Sequence, residues 1–347
     1  MHYISKLIVK AREKNASDLH LSPLSCPKVR LLGILQDLEN NIISSFATSE
    51  IANDLLNPEQ KNSLELNSSV DFAYNLVNTR LRVNIFKTFR GISISIRLLP
   101  DVVPTLEELH MPQSVSTLSS LKQGLVLITG STSSGKSTTL AAMINHININ
   151  KAGHIIAIED PIEYIHTHKN CIINHIEIGN RPFSQVLKYA LRQNPDCILL
   201  GEIRDLETLS FAISAAETGH LVLSTLHTND AVSTINRIID IFPNEQKAQI
   251  RTQLSFALEG VICQQLIPQL GSNKQIAATE IMLVNQAIKN LIREDNVHQI
   301  HQVIETNSKD GMQSMDLSIA RLIKEGYISF DEGLKNCRNI DALKNFM

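Results

Sequence analysis

No run among the 347 residues is long and apolar enough for a membrane span. Such a span needs about 20 consecutive apolar residues, and stretches such as 124–129 (GLVLIT) and 197–201 (CILLG) fall far short. Paired cysteines are lacking too. The five present (Cys26, Cys171, Cys197, Cys263, Cys337) are an odd number at wide spacing without a C-x-x-C pair. That fits reduced thiols in a cytoplasm better than a disulfide framework or a zinc site. Neither sign of charge is in excess: the formal charge is −3 and charged residues are 19%, which excludes a polyelectrolyte tail and a globally basic nucleic-acid coat. Long Gly/Pro/Ser or like-charge tracts are absent, and 43% of the residues are hydrophobic, so the chain is not disordered. Residues 2–15 place Ile4, Leu7, Ile8 and Ala11 at helical spacing, interrupted by Lys6 and Lys10. That predicts an amphipathic helix and no signal peptide, hence a soluble cytoplasmic protein.

The length predicts two or three domains at roughly 150 residues each. Strand-like pieces at 17–22 and 28–33 precede a helix near 48–57, begun by Thr48 and stopped by Pro58. Two runs of period 2, 80–86 (RLRVNIF) and 92–99 (ISISIRLL), predict an antiparallel hairpin turning at 87–91. Between 80 and 97 lie five basic residues and no acidic one; taken alone, such a cluster reads as a solvated sheet face. Pro100, Pro104 and Pro112 mark a linker. From 124 onward, short apolar strands at 124–129, 154–159, 197–201 and 220–226 alternate with helices at 137–148, 182–193 and 205–218. That is the pattern of a parallel α/β sheet, whose ligands bind at the carboxyl ends of its strands. Beyond 230 helices are predicted at 231–241, 244–266, 285–294, 296–306, 313–325 and 331–336, with a strand or hairpin at 274–284.

The first of these strands runs into Gly130, Ser131, Thr132, Ser133, Ser134, Gly135, Lys136, Ser137 and Thr138, which satisfy G-x-x-x-x-G-K-[ST] and open a helix. The glycines let backbone amides wrap a phosphate chain, Lys136 reaches the β- and γ-phosphates, and Ser137 ligates Mg²⁺ with ATP. A chance match in a chain this long has a probability on the order of 1%. The second strand ends in Glu159, Asp160 and Glu163, a set that suits Mg²⁺ and water positioning. The third ends in Gly201 and Glu202. His227 stands at the carboxyl end of the fourth, beside the expected nucleotide, whereas His220 starts that strand at the opposite edge.

In this order the P-loop, IEDPIE, LRQNPD, ILLGEIRD and GHLVLSTLHTNDA resemble the Walker A, Asp box, Walker B and His box of the type II/type IV secretion ATPases. The segment 16–22 (ASDLHLS) is similar to the opening of that family's N-terminal domain. Residues 287–294 (AIKNLIRE) resemble the AIRNLIRE motif of its pilus-retraction members. The resemblance implies a PAS-like α+β N-terminal domain (1–100), a linker (101–123), a RecA-like P-loop ATPase core (124–284) and a helical C-terminal region (285–347). It further implies a homohexamer with ATP held between the two domains. Glu163 matches the catalytic glutamate, Glu202 the Walker B acid and His227 the residue that senses the γ-phosphate. Arg82 and Arg97 match two arginines that contact the nucleotide phosphates, which moves the basic hairpin from solvated face to ligand. Arg192 and Arg237 lie in family motifs as well.

Three residues depart from the family pattern: Ser131 replaces Pro, Ser133 replaces Gly, and Lys289 replaces Arg in the AIRNLIRE-like segment. The implied function is an ATP-hydrolysing motor for type IV pilus retraction (twitching motility), at the cytoplasmic face of the inner membrane. Its expected partners are a pilus platform protein and a paralogous motor ATPase, with no direct nucleic acid. The lack of a paired C-x-x-C zinc site argues against pilus extension. A sibling secretion, assembly or DNA-transfer ATPase and a non-hydrolysing NTP-binding regulator are the alternatives.

Overall fold

The computed structural model describes residues 2–31, 33–76, 79–99, 102–179, 181–272 and 274–347. The expected boundary at residues 100 and 101 lies outside them. The chain forms two compact units, Met1–Val102 with Pro161–Ile165, and Val103–Asp160 with His166–Met347.

The N-terminal unit opens with helix α1 (His2–Glu13), whose stripe of Ile4, Leu7, Ile8 and Ala11 is fully buried. Strands β1 (Asp18–Leu21), β2 (Lys28–Leu31) and β3 (Ile34–Asp37) follow. Helix α2 (Ser45–Leu55) starts earlier than Thr48, because Ser44 accepts the Ala47 N–H as its N-cap. Pro58, expected to end that helix, instead takes the first position of α3 (Pro58–Asn67), behind a capping box of Asn57 and Gln60. A proline is favoured there, since its missing N–H would have no helical partner. Strands β4 (Ser69–Leu76), β5 (Thr79–Thr88) and β6 (Gly91–Leu98) complete an antiparallel sheet of order β3-β2-β1-β6-β5-β4. The expected basic hairpin is β5–β6, with Leu81, Val83, Ile85, Ile94 and Ile96 buried beneath it.

In the C-terminal unit, α4 (Gln113–Ser119) leads into β7 (Gly124–Thr129), α5 (Lys136–Asn150), β8 (Gly153–Glu159) and β9 (Cys171–Glu177). Then come α6 (Phe183–Ala190), β10 (Cys197–Leu200), α7 (Leu206–Glu217), β11 (Leu221–Leu226) and α8 (Ala231–Asp240). With β12 (Leu258–Pro268) and β13 (Gln275–Leu283), the sheet order is β13-β12-β7-β11-β10-β8-β9, with all pairings parallel except β12–β13. Every residue of β7, β10 and β11 is buried, as expected of a parallel sheet with helices on both faces.

The helix predicted over 244–266 is corrected by the structure. Helix α9 stops at Ala257 (Lys247–Ala257), and Leu258–Pro268 is strand β12, parallel to β7 and antiparallel to β13 (Gln275–Leu283). Its apolar run has no helical stripe because both of its faces are covered, a pattern that periodicity alone does not separate from a buried helix. Helices α10 (Gln286–Arg293), α11 (Ile300–Thr306), α12 (Met315–Lys324), α13 (Phe330–Asn336) and α14 (Ile340–Phe346) end the chain. All five cysteines are free thiols, and burial pushes the Cys197 thiol up to about 12. Among the described residues no helix is long and apolar enough to cross a membrane.

Candidate nucleotide site

Strands β7, β11, β10 and β8 are consecutive and parallel. The segments carrying Gly130–Thr138, His227, Glu202 and Glu159 with Asp160 therefore leave one edge of the sheet. The turn after β7 needs left-handed backbone at three places, Gly130 (φ +145°), Ser133 (φ +62°) and Gly135 (φ +87°). A Cβ on Gly130 would come within 2.3 Å of the Gln264 carbonyl oxygen, and one on Gly135 within 2.7 Å of Gln264 Nε2. No side chain fits at either glycine. Ser133 is exposed and keeps its side chain at the cost of a strained φ. Lys136 is buried, and its Nζ donates to the carbonyls of Gly130 (2.9 Å) and Ser131 (2.7 Å).

Helix α5 has Gly135 as its N-cap, and no side chain caps its first amides. Those N–H groups, with the positive end of a 15-residue helix behind them, suit an anion. Ser137 and Thr138 stand in the same first turn, and the buried Ser134 Oγ has no hydrogen-bond partner among the described residues. The cradle as built fits a polyphosphate.

Across the edge, His227 Nε2 lies 3.4 Å from Glu202 Oε1, and Arg204 Nη2 lies 3.0 Å from Glu202 Oε2. Two hydroxyls of β11 set this approach: Ser224 Oγ donates to the Leu200 carbonyl (2.9 Å) and Thr225 Oγ1 to that of Gly201 (2.6 Å). The Ile203 amide returns to the Thr225 carbonyl at 3.2 Å. Asp205 and Asp230 then cap α7 and α8 through the amides of Thr208 and Ser233, so both loops end within a few residues of Glu202 and His227. His220 instead sets its Nδ1 3.0 Å from the Ala215 carbonyl, at the far end of β11.

Glu159 faces His175 Nδ1 at 3.8 Å, and His175 Nε2 accepts the His166 amide at 3.1 Å. Burial, with His175 and Lys169 nearby, lowers the His166 pKa to about 4. The residues between, Pro161–Ile165, belong to the N-terminal unit, where Arg80 Nε donates to the Ile162 carbonyl at 3.5 Å. Glu163 is half-buried there. Arg82 and Arg97 are in the same unit, ion-paired with Asp71 (2.7 Å) and Asp18 (3.2 Å).

Sequence reasoning missed two groups. Gln264 on β12, 4% exposed, donates from Nε2 to the Ser134 carbonyl and accepts from Thr139 Oγ1, both at 2.7 Å. A polar residue inside a buried strand demands such partners, but the helix predicted over 244–266 takes in position 264 and hides that signal. The second group is Glu280 with Arg338, which grips the loop after His227.

The family model for type II/IV secretion system proteins matches residues 1–335. The chain belongs to the type II/IV secretion system protein family. Within this family it is 43% identical to the type IV pilus retraction ATPase PilT of Pseudomonas aeruginosa over 329 residues, covering 94% of this chain and 95% of that one. It is 41% identical to a twitching motility protein of Neisseria gonorrhoeae over 320 residues, 91% of this chain and 86% of that protein. A crystal structure of the pilus retraction motor PilT with bound ADP superposes with a TM-score of 0.90 at 39% identity, over 99% of each chain. Like that secretion-family motor, the chain is a two-domain ATPase with a RecA-like core.

Proposed function

We propose that this chain is the ATP-hydrolysing motor of type IV pilus retraction. One observation carries the reading: a complete P-loop cradle and the Glu202–His227 pair stand at one sheet edge of a chain similar over nearly its whole length to proteins described as pilus retraction and twitching motility ATPases. In this reading Lys136 exchanges its two loop carbonyls for phosphate oxygens, and the amides at the start of α5 hold the same chain. Ser137 supplies an oxygen to Mg²⁺, a hard cation that suits the carboxylates on this edge; bound there, the ion would neutralise charge on the phosphates. Glu163 orients or deprotonates the attacking water. Glu202 supports the site as Walker B acid, His227 reports the γ-phosphate, and Arg82 and Arg97 bind phosphate oxygens. The working form is a homohexamer bound peripherally at the cytoplasmic face of the inner membrane through a pilus platform protein, with a paralogous motor ATPase as a further partner.

Deletion of the gene with imaging of surface pili tests the biological role. Excess, non-retracting pili are expected; loss of pili, or no pilus phenotype, overturns the reading. For the chemistry, Lys136→Ala should abolish nucleotide binding or turnover. Glu163→Gln should bind ATP without hydrolysing it, and wild-type turnover in that variant removes Glu163 from the catalytic role.

A further inference from the structure

We infer that Arg338, in the connector between α13 and α14, is a positioning residue for the His227 loop and sets the rate of ATP turnover from the C-terminal helical region. The inference rests on the reading of His227 as the γ-phosphate sensor. Arg338 lies beyond residue 335, where the family match ends.

The loop after His227 is gripped on two backbone groups by one ion pair, whose carboxylate is buried while its guanidinium stays 34% exposed. Glu280 on β13 is 2% exposed. Its Oε1 accepts the Ala231 amide at 2.9 Å, and its Oε2 is bonded by Arg338 Nη1. The same guanidinium donates through Nη2 to the Asn229 carbonyl. A carbonyl and an amide two residues apart are thus locked together, immediately after the residue that faces Glu202 at 3.4 Å. The planar fork meets the carboxylate through one terminal nitrogen and the carbonyl through the other, at a fixed angle; a lysine ammonium carries its donors on a single nitrogen and holds the two acceptors less rigidly.

The backbone that carries the guanidinium is itself held in place. Asp316 on α12 takes the Arg338 amide on one carboxylate oxygen (2.7 Å) and the Asn339 amide on the other (3.1 Å). Gln265 on β12 donates to the Asn336 carbonyl at 3.0 Å. The connector is therefore fixed to α12 and β12 independently of the sensor loop. Any shift of α12 moves the guanidinium, and with it Asn229, relative to Glu202. A cavity of about 220 Å³ lies beside the pair, lined in part by Glu280, His301, Glu305 and Asp316. Water can enter there when the guanidinium is removed, so the arginine can be replaced without leaving Glu280 in a dry core.

The test is a double-mutant cycle between Arg338→Ala and His227→Ala, with steady-state ATP turnover of the full chain as the readout. Arg338→Ala should lower kcat by roughly tenfold to 100-fold, as a misplaced active group does, and leave KM within about twofold. Arg338→Lys should recover part of the rate. In the His227→Ala background Arg338→Ala should cost little more, because the residue acts through the loop already disabled. Wild-type turnover in Arg338→Ala, or the same fold loss in both backgrounds, overturns the inference while leaving the sensor reading intact. Wild-type turnover in His227→Ala removes the sensor role, and the positioning role with it. If Arg338→Ala does not fold, Arg338→Lys takes its place in the same cycle.

Discussion

Arg82 and Arg97 stand directly opposite each other in the β5–β6 register. Like charges at facing positions of an antiparallel pair repel, and here each guanidinium leans on its own carboxylate, Asp71 for Arg82 and Asp18 for Arg97. Both arginines are substantially exposed, so these ion pairs contribute little to stability. The register thus leaves two neighbouring guanidinium groups on one face of the sheet, and the proposal that they bind phosphate can be tested directly.

Arg82→Ala and Arg97→Ala should therefore lower ATP turnover while shifting unfolding stability by no more than about 0.5 kcal/mol, the usual range for surface changes. Turnover assays beside thermal melts of each variant check this. Full activity in both returns the hairpin to a solvated face.

Ser133 sits at φ +62°. Left-handed backbone costs a non-glycine residue about 1–2 kcal/mol, and glycine adds about 0.5–1 kcal/mol of chain entropy. Ser133→Gly should thus be stabilising by about 0.5 kcal/mol and bind nucleotide at least as tightly. Ser133→Val, β-branched at positive φ, should be worse than wild type on both counts. Nucleotide titrations that order the three in reverse would refute the strain argument.

Gln264 bonds both the Ser134 carbonyl and the Thr139 hydroxyl from within the sheet. Gln264→Met keeps the volume but strands two buried polar groups, at a cost of about 1–3 kcal/mol each. A lower melting temperature together with weaker nucleotide binding is expected. Unchanged affinity in a destabilised variant would make Gln264 a core residue only.

His166 has its pKa lowered to about 4 from 6.5. Between those values the unfolded chain binds more protons than the folded one, so stability rises with pH across that window and falls as the medium is acidified through it. The full span is worth on the order of 3 kcal/mol. Denaturant midpoints at several pH values should show the slope in wild type and a shallower one in His166→Phe. An equal slope in both would assign the acid sensitivity to other groups.

The alternation of short apolar strands with helices was legible because each strand of the parallel sheet is a local run of buried residues, as in 124–129 and 197–200. The P-loop was legible for the same reason: the glycines, the lysine and the helix they open are consecutive. Strand β12 was not. Leu258–Pro268 is a strand only because β7 and β13 lie on either side of it, and Cys263 pairs with Thr129 at a sequence separation of 134. Strands β4 and β9 are not legible either. The first interleaves exposed Ser69, Asp71 and Asn75 with only one buried residue, Phe72, and the second covers only one edge of the sheet.

By itself the sequence determined which chemistry is available: a P-loop motif at Gly130–Thr138 whose backbone suits a phosphate, carboxylates at strand ends and a histidine after the fourth strand. These are short-range features, set by residue type and spacing within one turn or one strand. Tertiary structure decided what holds that chemistry in place. Gln264 reaches the P-loop from a strand more than a hundred residues away, and Arg338 reaches Asn229 across a separation of 109. A hydrogen bond between distant segments depends on sheet register and helix packing, and neither is written in the residues at its two ends.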